Sequence, residues 1–186
     1  MEREKRDPNA SWLERKELKT FLRKVETNHE DTVILKLKDH LAPDFINPLV
    51  LNLIIEAIGK NTVCQALYVQ NLSNSMNDEQ LFALVEVLKR KKIWCINLGE
   101  NYSVSQQAWL QFTSSLKDTM ITHMYVSEHI IPLELKNRMR DEIRENRKKH
   151  TLHCSKKNID VIERCTHCWW NPINAIKHQE ELKEKR

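Results

Sequence analysis

The stretch IWCINLGENY, residues 93–102, carries apolar side chains at Ile93, Ile96 and Leu98, followed by Asn101 and the ring of Tyr102. The spacing of its first three apolar positions recurs in runs that start at Thr32, Cys64 and Ile121. The central positions of the four runs are Leu35, Leu67, Ile96 and Met124, separated by 32, 29 and 28 residues. Repetition at such a period indicates one supersecondary unit used four times.

Each run precedes an amphipathic segment with signals for the start of a helix. The predicted N-caps are Asn47 (before Pro48), Asn77 and Ser103, and Pro132 opens the last helix. Gly59 is expected to end the first of these helices in the left-handed conformation. The repeated unit is therefore predicted to be a short strand, a turn and a helix of some three turns.

Residues 93–102 follow the pattern L-x-x-L-x-L-x-x-N-x-L, which resembles the leucine-rich repeat family in its 28–29-residue strand–helix form, as in ribonuclease inhibitors. The resemblance covers about residues 32–149. The other three units have His40, Leu72 and His129 at the asparagine position. In the family, this asparagine bonds to backbone across neighbouring repeats. The resemblance implies an α/β solenoid of about four β-α units with a parallel sheet and helical caps.

The expected organisation has three parts. Residues 1–31 form an N-terminal capping helix, for which Ser11 and Glu14 make a capping box ahead of an apolar stripe. Residues 32–149 form the repeats. Residues 150–186 form a C-terminal cap that contains Cys, His and Trp, followed by a charged terminal helix.

Composition excludes several functions. The two glycines, Gly59 and Gly99, lie forty positions apart, and neither G-x-G-x-x-G nor G-x-x-x-x-G-K-[ST] occurs, so a glycine loop for nucleotides is excluded. No small-molecule substrate is expected. The longest apolar stretch, 49–55, is interrupted by Asn52 and falls short of the roughly 20 residues that span a bilayer, so no membrane association is predicted. The charged first residues lack an apolar signal region, which favours a cytoplasmic or nuclear location with reduced cysteines.

The open face of the predicted sheet is the preferred binding surface. Alternate strand residues point away from the core. The predicted partner-binding residues are those on this face of the strands and just after them: Lys36, Lys38, Tyr68, Gln70, Asn97, His123 and Tyr125. Aromatic side chains dominate the energetics of many interfaces, which favours partner binding by the two tyrosines. The alternative is that the polar residues here reflect only the exposure of a concave sheet face to solvent. The sequence predicts a non-catalytic protein–protein interaction module, an adaptor or a subunit of a larger assembly, that binds a partner segment on the concave face.

A basic segment carries most of the net charge of +4. Residues 136–164 contain ten Lys or Arg against five Asp or Glu. Its helical part forms a predicted basic surface of Arg140, Arg144, Arg147, Lys148 and Lys149. A nucleic-acid backbone is one possible ligand. Acidic residues at helical pair spacing, Asp141 and Glu145 among them, favour a solvated helix face instead.

Metal-ligand residue types cluster after this segment. The candidate zinc ligands are His150, His153, Cys154, Cys165 and Cys168. One C-x-x-C motif with an isolated cysteine is compatible with tetrahedral zinc, but buried reduced thiols are the favoured interpretation, and no cofactor is expected. No set of nucleophile, base and orienting group is apparent, so no enzymatic activity is predicted. The alternative function is a zinc-stabilised module that contacts nucleic acid through the basic helix and this tail.

Overall fold

The structure, a computed structural model, describes residues 15–126 and 131–149. Within these ranges it contains four strands and five α-helices. The strands are β1 (Ile34–Lys36), β2 (Ala66–Tyr68), β3 (Cys95–Asn97) and β4 (His123–Tyr125). The helices are α1 (Lys16–Glu26), α2 (Pro48–Lys60), α3 (Asp78–Leu88), α4 (Gln106–Ser115) and α5 (Leu133–Lys149).

The strands form one parallel sheet in the order β1-β2-β3-β4. Its register pairs the four central positions across the sheet, joining Leu35 to Leu67, Leu67 to Ile96 and Ile96 to Met124. A helix follows each strand, as parallel pairing requires a crossover connection. The predicted α/β class and the four-stranded parallel sheet are confirmed.

The core lies between the sheet and the helices. The central strand residues Leu35, Leu67 and Ile96 are fully buried. They share one apolar cluster with residues from every described helix, for example Phe21, Ile54, Leu84, Phe112 and Ile143. The apolar periodicity of the sequence therefore corresponds to one continuous core.

Helix α1 packs against α2 through Leu18, Phe21 and Val25, which are all buried. Asn61, just after α2, donates from Nδ2 to the Val25 carbonyl at 2.7 Å and to Thr32 Oγ1 at 3.0 Å. Because Asn61 is itself buried, these bonds satisfy polar groups that burial would otherwise penalise. The predicted capping box at 11–14 lies outside the described residues.

Two of the three predicted N-caps are confirmed, and one is wrong. The Oδ1 atom of Asn47 accepts from Val50 N at 2.9 Å, and that of Asn77 accepts from Glu79 N at 2.9 Å. Helix α4 begins after Ser105 instead of Ser103, because Asp78 of the preceding helix holds Ser105. The backbone N–H of Ser105 donates to Asp78 Oδ1 at 2.7 Å, and its hydroxyl donates to Asp78 Oδ2 at 2.6 Å.

The prediction for Gly59 is also wrong. Helix α2 continues through Lys60 to a C-cap at Asn61, and neither glycine has a positive φ. The Asn61 N–H bonds to the Ala57 and Ile58 carbonyls, so the helix ends without a left-handed residue at Gly59. The left-handed residues in the described ranges are Asn28, Asn71 and Glu100, with φ of 58°, 59° and 60°.

Candidate functional site

The candidate site is the face of the sheet opposite the helices, called here the open face. The strand register aligns its side chains in two rows across the sheet, one made by the first residue of each strand and the other by the third residue of each strand. The first row contains the first strand residues, Ile34, Ala66, Cys95 and His123. The third row contains the third strand residues, Lys36, Tyr68, Asn97 and Tyr125.

The third row joins a cation to an aromatic ring. Lys36 Nζ lies 5.4 Å from the centroid of the Tyr68 ring, which is within the range of a cation–π contact. The same ammonium lies 3.9 Å from the Asp39 carboxylate. Lys36, Tyr68 and Tyr125 are each half-buried. Part of each side chain therefore remains available at the surface.

Asn97 organises the middle of the third row. Its Nδ2 donates to Gln70 Oε1, and its Oδ1 accepts from the Gly99 N–H at 3.0 Å. A Cβ placed on Gly99 would lie 2.6 Å from Tyr125 Cε1, so the Tyr125 ring lies against bare backbone. Asn97 is only 7% exposed. It bonds to Gln70 and Gly99 and offers little surface, so its part in partner binding stays a prediction.

His123 is likewise buried, at 4% exposure. Its ring lies edge-on to Trp94, with centroids 5.5 Å apart and an interplanar angle of 70°. Its Nδ1 lies 3.0 Å from the Thr122 hydroxyl. His123 therefore offers little surface in this structure, and its part in partner binding stays a prediction.

Trp94, which directly precedes β3 and for which the sequence predicts core or end-of-strand packing, is buried in an apolar part of the open face. Trp94 clusters with Ala66, Cys95 and the half-buried Ile34, and its Nε1 donates to Gln65 Oε1 at 3.3 Å. Strand alternation predicts that Cys95 belongs to this face, since Cys95 lies two positions before Asn97 and therefore points to the same side of the sheet.

Gln70 extends the third row beyond β2 through its bond to Asn97, whereas Lys38 lies in a short 3-10 helix that follows β1. Lys38 is exposed, and Gln70 is half-buried. Of the seven predicted contact residues, the accessible ones are Lys36, Lys38, Tyr68, Gln70 and Tyr125. Two of these are lysines, and one of them, Lys36, has its ammonium 3.9 Å from the Asp39 carboxylate.

Two residues of the predicted basic surface pair with acidic neighbours on α5. Arg144 Nη1 lies 3.1 Å from Asp141 Oδ1, and Lys148 Nζ lies 2.7 Å from Glu145 Oε1. The bond from Lys148 lowers the pKa of the Glu145 carboxyl. Lys149 is exposed at the helix end. The pair of Asp141 and Arg144 is one that the spacing predicts, whereas for Glu145 the spacing predicts Lys149 and the structure pairs it with Lys148 instead.

Two further arginines of this surface also have partners within the chain. Arg140 Nη1 donates to Asn137 Oδ1 at 2.9 Å. Arg147 Nε donates to the Thr122 carbonyl at 2.8 Å, which fastens the end of α5 to the residue before β4. Arg147 thus has a structural role in addition to its charge.

The candidate zinc ligands all lie outside the described residues: His150, His153, Cys154, Cys165 and Cys168. Within 15–126 and 131–149, no three His, Cys, Asp or Glu side chains are placed to hold a metal ion. Burial raises the pKa of the Cys64 thiol to about 12, which keeps it protonated and unreactive at neutral pH. No helix in the described ranges is long and apolar enough to cross a bilayer.

The sequence matches no protein-family model, and it matches no curated protein. The geometry of the open face and of the turns beside it is therefore the basis for a functional proposal.

Proposed function

We propose that this chain is a short leucine-rich-repeat solenoid that acts as a non-catalytic protein interaction module, binding an acidic segment of a partner protein along the third row. One observation carries the proposal. The strand register places Lys36, Tyr68 and Tyr125 in one row on a face against which no described helix packs. Such a module would serve as an adaptor or as a subunit of a larger assembly.

The bonds of Asn101 support the repeat architecture. Its Nδ2 donates to the carbonyls of Leu98 at 3.0 Å and Val69 at 2.9 Å, while its Oδ1 accepts from Leu72 N at 2.9 Å. Val69 and Leu72 belong to the turn after β2, so Asn101 links two successive turns. This is the role that the leucine-rich repeat family gives to the asparagine in this position.

The dimensions and chemistry of the third row define the partner. Four strands have three gaps of about 4.8 Å, which gives a row about 15 Å long. This length suits one helix or a short extended segment. The tyrosine rings offer apolar area with a polar edge, and the ammonium groups of Lys36 and Lys38 favour carboxylates.

A selection of random peptides on the full chain tests the proposal. We expect enriched peptides to contain Asp or Glu and to bind at least about tenfold more weakly to the variant Tyr68→Ala with Tyr125→Ala, because aromatic anchors each contribute upwards of about 1 kcal/mol. The matched control is Tyr102→Ala. Tyr102 is the one other tyrosine of the chain, is 60% exposed and lies outside both rows. Its removal should leave the affinity unchanged.

Equal affinity of the peptides for the wild type and the double variant would contradict the proposal, as would enriched peptides without acidic residues. A separate titration with labelled RNA and duplex DNA addresses the alternative. Salt-sensitive binding that is lost in Arg144→Glu with Lys148→Glu would favour the zinc-stabilised nucleic-acid module instead.

A further inference from the structure

Three of the four first-row residues, Ala66, Cys95 and His123, are buried, although no residue of the five described helices belongs to the apolar cluster of this row. Ala66 and Cys95 are 0% exposed, and Trp94 is 3% exposed. A ring that covers a sheet face normally leaves its own outer side in contact with solvent. The burial of Trp94 therefore calls for a further covering group beyond these helices.

The end of α5 lies next to this row. Asn146 Nδ2 donates to the carbonyls of Leu116 at 2.7 Å and Ile121 at 3.0 Å, which holds the last turns of α5 against the segment that leads into β4. Thr122, the acceptor for Arg147, donates its own backbone N–H to the Trp94 carbonyl at 3.0 Å. The chain beyond Lys149 thus starts near the edge of the first row.

The sequence that follows has the length and the composition of a cover. Residues 150–186 number 37, many more than a sheet about 15 Å wide requires. Their apolar side chains include Leu152, Ile159, Val161, Ile162, Trp169, Trp170, Ile173 and Ile176. Adjacent tryptophans supply a large apolar area for a contact with Trp94.

We propose that residues 150–186 dock on the first row of the open face, with Trp169 and Trp170 against the cluster of Ala66, Trp94 and Cys95. The inference shares the open face with the proposed function and relies on it only in treating that face as an interaction surface. Because it concerns a different row, its test does not require the partner.

Cysteine alkylation of the full chain under native conditions tests the docking. Iodoacetamide modification is measured at each cysteine by mass spectrometry, in the wild type and in Trp169→Asp with Trp170→Asp. We expect Cys95 to react at least tenfold faster in the variant, because loss of the cover exposes its row. Cys64, on the helix side of the sheet, should stay unreactive in both proteins and so reports an intact core. The matched control, Asn171→Asp with Asn174→Asp, adds the same charge nearby and should leave Cys95 protected.

Equal rates at Cys95 in the wild type and the tryptophan variant, with Cys64 protected, would overturn the proposal. If Cys64 also reacts in the tryptophan variant, that variant has unfolded and a second experiment is needed. In it, a photo-cross-linking residue replaces Ile34 in the otherwise unaltered full chain. The expected product is a cross-link within one chain to a peptide from 150–186. A cross-link between two chains, or none to this segment, would refute the docking. Neither result alters the peptide affinities that test the third row.

Discussion

Gly99 is the residue on which the geometry of the third row depends most directly. Its missing side chain lets the Tyr125 ring lie against the backbone, while its N–H binds Asn97 Oδ1. Gly59 has no such constraint, because a Cβ there would meet only Val87 Cγ2, at 3.6 Å. The two glycines of the chain therefore differ in what a methyl group would do.

We expect Gly99→Ala to displace Tyr125, to lower the free energy of unfolding by about 1–3 kcal/mol through overpacking, and to weaken binding of the selected peptides. Gly59→Ala is the matched control. It should raise stability by about 0.5–1 kcal/mol, since alanine favours the helix and restricts the unfolded chain. Urea unfolding measures both effects. Shifts of the same sign in the two variants would contradict this account.

Asn101 is fully buried and serves three backbone groups through one amide. Asn101→Ala should reduce the free energy of unfolding by about 3 kcal/mol, because buried groups lose their partners and each such loss costs about 1–3 kcal/mol. Asn74→Ala, at an exposed turn position, should stay within about 0.5 kcal/mol of the wild type. Chemical denaturation of the two variants side by side tests this, and a comparable loss in both would argue against a special role for Asn101.

The sequence predicted which strand residues face away from the core, but not how exposed they are. Alternation along a strand assigns the side of the sheet. The burial of Asn97 and His123 depends instead on side chains from other positions, including Gln70 and Trp94. Spacing along one strand contains no information about such neighbours. The sequence therefore predicts which face of the sheet is the candidate site, while the exposed fraction of each side chain on that face is known only from the structure.

At the scale of elements, local sequence located most of the helix starts. Asn47 and Asn77 each accept from backbone N–H groups of their own helix, so a pattern within four residues suffices to locate these caps. Helix α4 differs because its start is fixed by Asp78, 27 positions earlier, which bonds to Ser105. A search for local capping patterns does not detect a contact between two helix starts. For this reason the sequence predicts Ser103 as the N-cap instead of Ser105.

Ser105→Ala should lower the free energy of unfolding by about 1–2 kcal/mol, since it removes the cap bond to Ala108 N at 3.1 Å and the bond to Asp78. Ser114→Ala is the control in the same helix. Its hydroxyl bonds only to the Leu110 carbonyl and is exposed, so its loss should change stability by a few tenths of a kcal/mol. A double-mutant cycle of Ser105→Ala with Asp78→Ala should show coupling. Strictly additive effects would indicate that the two helix starts are independent.

For the molecule as a whole, the repeat period predicted the architecture better than any single residue predicted the site. Successive runs 28–32 residues apart leave room for one crossover helix each, which is enough to place each strand beside the preceding one. The proposed docking of residues 150–186 could not be predicted in this way, because that segment lies outside the repeated pattern.

The strand order also bears on how the protein responds to tension. Each strand pairs only with its neighbours in sequence, and β1 never meets β4. A force that pulls apart the two ends of the sheet therefore acts on the strand pairs in series, because no strand pair in the described ranges joins β1 to β4. In such an arrangement the units can peel away one after another from an end, so the protein can lengthen in steps while the units that remain stay folded.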